Sequence, residues 1–182
     1  MTEPDEVTRL ALAAAAGDRA ALSEFIRSTQ ADVWHFVARL SDRGTADDLT
    51  QETYLRMLPA LAAFEGRSSA RTWLLAIARR VVVDRIRHDL SRPRLSGASW
   101  SAITDSLLAS TSQVSGLESG ELLAQLDTDR REALVLTQLM GFSYAEAAEI
   151  AGCPIGTVRS RVARARAELV AAVERQRVEA GR

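Results

Sequence analysis

The chain contains no lysine, because all 23 of its basic side chains are arginine. This absence excludes a P-loop lysine, a Schiff-base lysine and a kinase-type lysine. The single cysteine, Cys153, excludes an internal disulfide and a cysteine zinc site. The only two histidines, His35 and His88, lie in different segments, so the chain has no two-histidine metal motif. Carboxylate pairs remain, but no motif points to catalysis. We therefore expect no cofactor, no metal and no enzymatic activity.

Long apolar runs are also missing from the sequence. Arg, Asp or Ser interrupts each run well before the roughly 18 residues that a membrane span needs. The N-terminus is acidic and lacks the basic segment of a secretory signal. We expect no membrane insertion and a location in the reducing cytoplasm.

Glycine and proline are sparse and lie mostly where helical patterns stop, whereas Ala and Leu are abundant. Alternation of β-branched residues is nearly absent, so the fold class is all-α. Residues 91–119 are rich in Ser, Gly and Thr and contain Pro93, which is typical of a linker. The sequence thus predicts two small helical domains joined by a flexible linker.

Apolar spacing predicts four helices before this linker. The first covers about 7–16 and the second about 19–40. The third begins at Thr45, and the fourth ends at about His88. Thr45 and Asp48 have the spacing of a capping box at the start of the third helix. Pro59 should end or kink that helix. The third helix carries the residues Leu49, Tyr54, Leu55 and Leu58.

Beyond the linker, the pattern predicts a helix-turn-helix. Helical periodicity resumes at 122–139, with a break near 127–129. Ser143 and Glu146 form a second capping box, Gly152 follows the end of that short helix, and another helix begins near Ile155.

The two faces of this last helix follow from about 100° of rotation per residue. The side that should face the domain core consists of Val158, Val162, Ala165 and Leu169. The opposite side consists of Arg159, Ser160, Ala163 and Arg164. Its small residues allow a close approach to base edges in a major groove, and its arginines reach guanine or phosphate. A solvated arginine face on a surface helix is the alternative interpretation.

These motifs resemble those of the extracytoplasmic-function (ECF) sigma factors. The segment SYAEAAEIAG followed by GTVRSRVARAR resembles region 4 of that family. The segments DVWHFVARLSD, ADDLTQETYLRM and SSARTWLLAIARRVVVDRIR resemble successive parts of region 2. Within the family the chain is most similar to the actinobacterial sigma factor C group. The resemblance implies region 2 at 1–90, a linker at 91–119 and region 4 at 120–182.

The resemblance also implies partners and site residues. The chain should bind core RNA polymerase through the β′ clamp helices and the β flap, bind promoter DNA as a monomer, and help to open the duplex; an anti-sigma factor is a further candidate partner. The implied −35 residues are Thr157, Arg159, Ser160, Arg161 and Arg164. The implied −10 residues are Phe64, Arg67, Ser68, Arg71, Arg79, Arg80 and Arg87. The implied polymerase-binding residues are Asp47, Asp48, Gln51, Glu52 and Tyr54.

Two further expectations concern the predicted −10 helix. The phase of Trp73 favours core packing over base stacking. Asp84 stands at ion-pair spacing from Arg80 and Arg87, so intrahelical pairs should compete with DNA for both arginines.

Two other functions remain open from the sequence. A stand-alone helix-turn-helix regulator would bind a palindrome as a dimer. A helical adaptor that binds only proteins would tolerate alanine at Arg159 and Arg164.

Overall fold

The structure, a computed structural model, describes residues 4–41, 43–91 and 122–180. Within those ranges it consists of helices and turns and contains no strand. Contacts between Cα atoms divide the chain into two units, which meet in sequence between Arg92 and Pro93. Nearly all of the predicted linker lies outside the described residues. Each unit is described by itself.

The first unit contains the four helices that the sequence predicts. Helix α1 spans Glu6–Ala15, α2 spans Arg19–Leu40, α3 spans Ala46–Leu61 and α4 spans Ala70–Ser91. Their shared core is aromatic and aliphatic, and burying each such side chain contributes about 1.5–3 kcal/mol. Its largest fully buried members are Phe25, Phe36, Met57, Leu74, Leu75, Val33, Val37, Val81 and Val82.

Helix α3 differs from its prediction at both ends. The predicted capping box is wrong, because the Thr45 side chain makes no capping hydrogen bond and its backbone is already helical. The cause is a 3-10 turn, Arg43–Thr45, that leads directly into α3. At the other end, α3 continues past Pro59 and ends at Leu61. Pro59 is exposed and lies in the last turn of α3. Proline lacks a backbone N–H, but the hydrogen bond lost there affects only the end of the helix, so α3 tolerates it.

The second unit contains the predicted helix-turn-helix. Helix α5 spans Thr128–Leu134 and passes into a π-helical turn, Val135–Leu139. Helix α6 spans Tyr144–Ala151, and α7 spans Ile155–Ala180. The break predicted before α5 is present, because Asp127 caps this helix by accepting a hydrogen bond from the Arg130 amide at 2.9 Å.

A half-buried arginine fixes the turn that precedes α5. The Arg131 guanidinium donates to the Ala124 carbonyl at 2.9 Å and to the Leu126 carbonyl at 3.0 Å. Burial lowers the pKa of Arg131, since desolvation opposes the charged form, and nearby Asp127 partly offsets this effect. Arg131 thus has a structural role within the second unit.

Both ends of α6 form as predicted. The Ser143 hydroxyl accepts from the Glu146 amide, and the Glu146 carboxylate accepts from the Ser143 amide at 2.9 Å. Gly152 adopts the left-handed conformation with φ 62°, which favours glycine. The chain then turns, and the Cys153 amide donates to the Ala148 carbonyl at 3.1 Å. The capping box and the glycine therefore fix the turn of the helix-turn-helix.

We predict that Ser143→Ala lowers the free energy of unfolding of the second unit by about 1 kcal/mol, because it removes the hydroxyl that accepts the Glu146 amide. Urea denaturation followed by circular dichroism measures this loss. Ser143→Asp, which restores an acceptor at the same position, should recover most of it. An unchanged midpoint for Ser143→Ala would contradict the contribution assigned to the capping box.

Candidate nucleic-acid and protein interfaces

Helix α7 separates its apolar side from its basic side. Val158, Val162 and Ala165 are buried in the second unit, whereas Leu169 is only half-buried. The predicted outward residues are all exposed: Arg159, Ser160, Ala163 and Arg164. At the start of α7, the Ser160 hydroxyl donates to the Thr157 carbonyl at 2.9 Å, and Thr157 is half-buried. The predicted burial pattern of this helix is confirmed, except that Leu169 is not fully enclosed.

Arg161 differs from the other predicted −35 residues. Its side chain is only 21% exposed and forms an ion pair with Asp129 at the start of α5. It also lies 3.5 Å from the Cys153 sulfur in the turn. In contrast, Arg159 and Arg164 have no hydrogen-bonding or ionic partner in the part of the chain that the structure describes. These two arginines are therefore available to a ligand, whereas Arg161 already binds a carboxylate.

The loop between α3 and α4 places its aromatic residue inside. Phe64 is 8% exposed, and its ring centroid lies 4.8 Å from that of Trp73, with the ring planes tilted by 40°. Trp73 itself is half-buried, so it packs on the core without being enclosed by it. Arg67 is exposed and pairs with Glu65 at 2.5 Å, and Ser68 is half-buried. The polar residues of this loop lie nearer the surface than Phe64 does.

Four predicted −10 arginines lie on α4. Arg71 forms an ion pair with Asp32 of α2 at 2.8 Å, and Arg79 is half-buried. Arg80 and Arg87 are exposed and have no partner among the described residues.

The predicted pairing of Asp84 with Arg80 and Arg87 is wrong. Asp84 instead accepts a hydrogen bond from Arg56 of α3 at 2.5 Å. This ion pair joins α3 to α4, and with Glu52 it raises the pKa of Arg56. The pairing prediction failed because helical spacing alone does not report a competing cation on a neighbouring helix.

A groove between α2 and α3 contains three of the five predicted polymerase-binding residues. Asp47, Gln51 and Tyr54 line this groove, which has a volume of about 420 Å³. Trp34 donates its indole N–H to the Asp47 carboxylate at 2.7 Å. The Tyr54 hydroxyl lies 2.9 Å from that of Thr29. Burial raises the pKa of Tyr54; the Thr29 hydrogen bond lowers it, and Asp32 raises it further.

The other two predicted residues, Asp48 and Glu52, lie in a separate shallow pocket between α3 and α4. Glu52 accepts from Arg56 at 2.8 Å, whereas Asp48 is exposed. The five predicted residues therefore divide between two pockets on α3: three line the α2–α3 groove, and two line the pocket between α3 and α4.

Two apolar residues that the sequence places on α3, Leu55 and Leu58, do not belong to the core. Leu55 is 56% exposed and Leu58 is 43% exposed, and both line the groove. The core side of α3 is formed instead by Leu49, Thr53, Met57 and Leu61. Spacing of four residues from Leu49 to Leu61 was the available signal, and it already placed Leu55 and Leu58 on another side of the helix.

Residues 4–41, 43–91 and 122–180 contain no group of three or more His, Cys, Asp or Glu side chains that could hold a metal ion. No helix in these ranges is long and apolar enough to cross a membrane.

Sequence models of two protein regions match the chain. The model of sigma-70 region 2 matches residues 25–91, and the model of sigma-70 region 4 matches residues 119–169. The first match begins within α2 and contains α3 and α4 but not α1, and the second contains the helix-turn-helix.

Curated relatives cover almost the whole chain. The ECF RNA polymerase sigma factor SigC of Mycobacterium tuberculosis is 56% identical over 95% of this chain and 94% of the relative. The probable RNA polymerase sigma-C factor of Mycobacterium bovis has the same identity of 56%. The ECF RNA polymerase sigma factor EcfG of Rhodopseudomonas palustris is 38% identical over 69% of this chain and 70% of the relative.

Two solved structures have a similar fold, and both are complexes. CnrH, bound to the cytosolic domain of CnrY, matches with a TM-score of 0.71 and 27% identity over 93% of this chain and 98% of that chain. RpoE of Bartonella quintana, bound to the anti-sigma factor NepR, matches with a TM-score of 0.67 and 27% identity over 84% of this chain and 96% of that chain.

Regions 2 and 4, in this order and on separate units, define a sigma-70-type sigma factor, a transcription initiation factor that binds core RNA polymerase and promoter DNA. The mycobacterial sigma-C relatives, which the chain covers almost completely at 56% identity, define the group of sigma factors more narrowly. The chain belongs to the ECF RNA polymerase sigma factors and directs promoter-specific transcription initiation. Its similarity to the sigma factor C proteins agrees with the group that the sequence resembles.

Proposed function

We propose a division of labour between the two units of this sigma factor. The outward side of α7 reads the −35 element. The loop at 62–69 and α4 contact the −10 element and help to open the duplex. The α2–α3 groove docks on the β′ clamp helices, and the β flap is a second contact. The chain acts as a single copy in the cytoplasm, and core polymerase supplies all of the catalysis.

The observation that carries this proposal is the arrangement of side chains around α7. At about 100° per residue, Ala163, Ala167 and Ser160 occupy the middle of the outward side, and all three are exposed. Arg159 and Arg164 flank them, about 70° to either side of the middle. Short side chains at the centre allow the helix to enter a major groove, while the flanking arginines reach base edges or phosphates.

The −10 assignment depends on Arg80 and Arg87. Seven residues apart, they lie on the same side of α4 at a separation of about 10 Å. Both are exposed and have no partner within the described residues, so they are available to a nucleic-acid backbone. Exposed Arg67 adds a cation in the preceding loop. A row of cations along one side suits a single strand that runs along α4.

The docking assignment depends on the character of the α2–α3 groove. Leu55 and Leu58 supply apolar area that water would leave on binding, and Asp47 supplies negative charge at its edge. Apolar anchors with a polar surround are typical of protein interfaces. Charge at the edge steers a basic partner into place.

We also propose that an anti-sigma factor regulates this chain. CnrH and RpoE, which share its fold over most of their lengths, were solved as complexes with CnrY and NepR. A protein that covered the α2–α3 groove would compete directly with core polymerase. Co-purification of this chain with an inhibitor that core polymerase displaces would support the proposal.

The position of α7 on a promoter can be mapped through Cys153. This residue is the only cysteine in the chain and lies in the turn directly before α7. A chelated iron attached to its sulfur generates radicals that cut nearby DNA. We expect holoenzyme assembled with the labelled chain to cut the promoter near its −35 element.

The control is Cys153→Ser taken through the same labelling, which should give no cleavage. The labelled chain must also retain run-off activity, since Cys153 is half-buried. Cleavage confined to the −10 element, or spread over the whole fragment, would contradict the assignment of α7.

A further inference from the structure

Helix α1 contacts the start of α4, which directly follows the loop at 62–69. Helix α1 nevertheless precedes residues 25–91, the part of the chain that matches sigma-70 region 2. The contact is polar and buried. Thr8, on the first turn of α1, is 4% exposed and accepts a hydrogen bond from the Ala70 amide at 2.9 Å. Ala70 is the first residue of α4 and is fully buried. The two residues are 62 positions apart in sequence.

The geometry of Thr8 is fixed from its other side by Asp5, the residue that caps α1. The Thr8 hydroxyl donates to the Asp5 carboxylate at 3.0 Å, and the Thr8 amide donates to the other carboxylate oxygen at 2.9 Å. The Thr8 hydroxyl therefore uses its proton in the hydrogen bond to Asp5, and its oxygen accepts the hydrogen bond from the Ala70 amide. Donation to a charged acceptor also strengthens the oxygen as an acceptor in turn.

The Ala70 amide needs this partner because it opens a helix. The first N–H groups of a helix have no carbonyl within the helix to bind. At the start of α4, the Ser69 hydroxyl accepts the Thr72 amide at 3.1 Å, and the Thr8 hydroxyl accepts the Ala70 amide. One of these acceptors is local, whereas the other belongs to α1. The N-terminus of α4 is thus held by a separate helix.

Leu12 of α1 also lies close to the loop, beside Gly66. Gly66 has φ +70°, a left-handed conformation that favours glycine, and a Cβ built there would lie 3.5 Å from the Leu12 side chain. Leu12 lies one turn after Thr8 on α1. The two contacts fall on either side of Arg67 and Ser68, two of the residues assigned above to the −10 element.

We propose that α1 holds the −10 loop in position, with Thr8 as a positioning residue that acts through the Ala70 amide and with Leu12 supporting Gly66. This inference rests on the proposed role of the loop and α4 in −10 recognition. Thr8 does not contact DNA itself. It fixes where α4 begins, and therefore where Arg67 and Arg71 lie relative to a single strand.

The test is the variant Thr8→Val, which keeps the shape of the side chain and removes the acceptor. The probe is the non-template −10 strand of a promoter that wild-type holoenzyme transcribes, bound by full-length holoenzyme. We expect Thr8→Val to weaken binding of this strand by about tenfold, because the buried Ala70 amide loses its partner and the start of α4 shifts. Thr8→Ser keeps the hydroxyl and should restore near-wild-type binding.

A matched control separates positioning from a general loss of stability. Thr53 is also buried, but its hydroxyl donates to Leu49 within the same helix at 2.7 Å. Thr53→Val should leave binding of the −10 strand within about twofold of wild type. Affinity for core polymerase and for duplex −35 DNA should be unchanged in all three variants, and Leu12→Ala should weaken strand binding in the same direction as Thr8→Val.

The outcomes are distinct. If Thr8→Val binds the −10 strand as wild type does, or if it loses −10, −35 and core binding equally, the positioning role is wrong while the proposed function stands. If wild-type holoenzyme binds the −10 strand no more tightly than a strand of scrambled sequence, the proposed function fails, and the positioning role fails with it.

Discussion

Replacing Arg164 with alanine is expected to lower transcription from a −35-dependent promoter by about 10- to 100-fold. This range corresponds to the roughly 1–3 kcal/mol that an arginine contact to a base contributes. Arg164 is exposed at the edge of the outward side of α7 and has no partner among the described residues. Its removal should therefore cost DNA binding without disturbing the fold. Run-off transcription and binding of duplex −35 DNA by holoenzyme measure the effect.

The matched control for Arg164→Ala is Arg177→Ala. Arg177 is another exposed arginine of α7, but it lies about 20 Å further along the helix than Arg164, near the helix end and away from the turn of the helix-turn-helix. Its loss removes the same charge from the chain and should change −35 binding by less than about twofold. Equal losses from both variants would show that net charge, rather than the outward side of α7, determines binding.

The second large effect is expected for Leu55→Arg, which should weaken binding to core polymerase by at least about 30-fold, equivalent to about 2 kcal/mol. Leu55 is more than half exposed in the α2–α3 groove, so the free protein should fold normally with this change. In the complex, however, the new cation would be buried in an apolar contact without a partner, which is costly. Titration of labelled chain with core polymerase measures the affinity.

Ser28→Arg is the control for Leu55→Arg, because Ser28 is exposed and lies on the side of α2 away from the groove. It should retain wild-type affinity for core polymerase. Charge reversal at Glu52 would be a less selective test. Glu52 binds Arg56, which also binds Asp84 of α4, so the change would disturb the contact between α3 and α4 as well. A Leu55→Arg variant that binds core polymerase normally would contradict the assignment of the groove.

Most of the fold could be predicted from the sequence because its signals are local. The Ser143 capping box, the left-handed Gly152 and the burial pattern of α7 each depend on residues close in the chain. For the same reason, the availability of Arg159 and Arg164 followed from helical phase alone. The helix ends of α3 were less predictable, since Thr45 continues a 3-10 turn and Pro59 is tolerated near the end.

The other features that could not be predicted involve partners that are distant in sequence. Asp84 binds Arg56 instead of the arginines on its own helix, and Arg161 binds Asp129. Nothing local to Thr8 indicates that its hydroxyl meets the Ala70 amide. Which of several nearby cations or acceptors a side chain meets is decided by tertiary packing, and the helical period contains no information about it.

The central claim is that two units of one chain read two separate elements of a promoter on behalf of core polymerase. It is tested most directly by run-off transcription with purified chain and bacterial core polymerase, on a promoter whose −35 and −10 elements are scrambled one at a time. We predict specific initiation from the intact promoter, loss when either element is scrambled, and a stoichiometry of one chain per polymerase. Specific binding to a palindrome as a dimer, with no dependence on core polymerase, would contradict the claim.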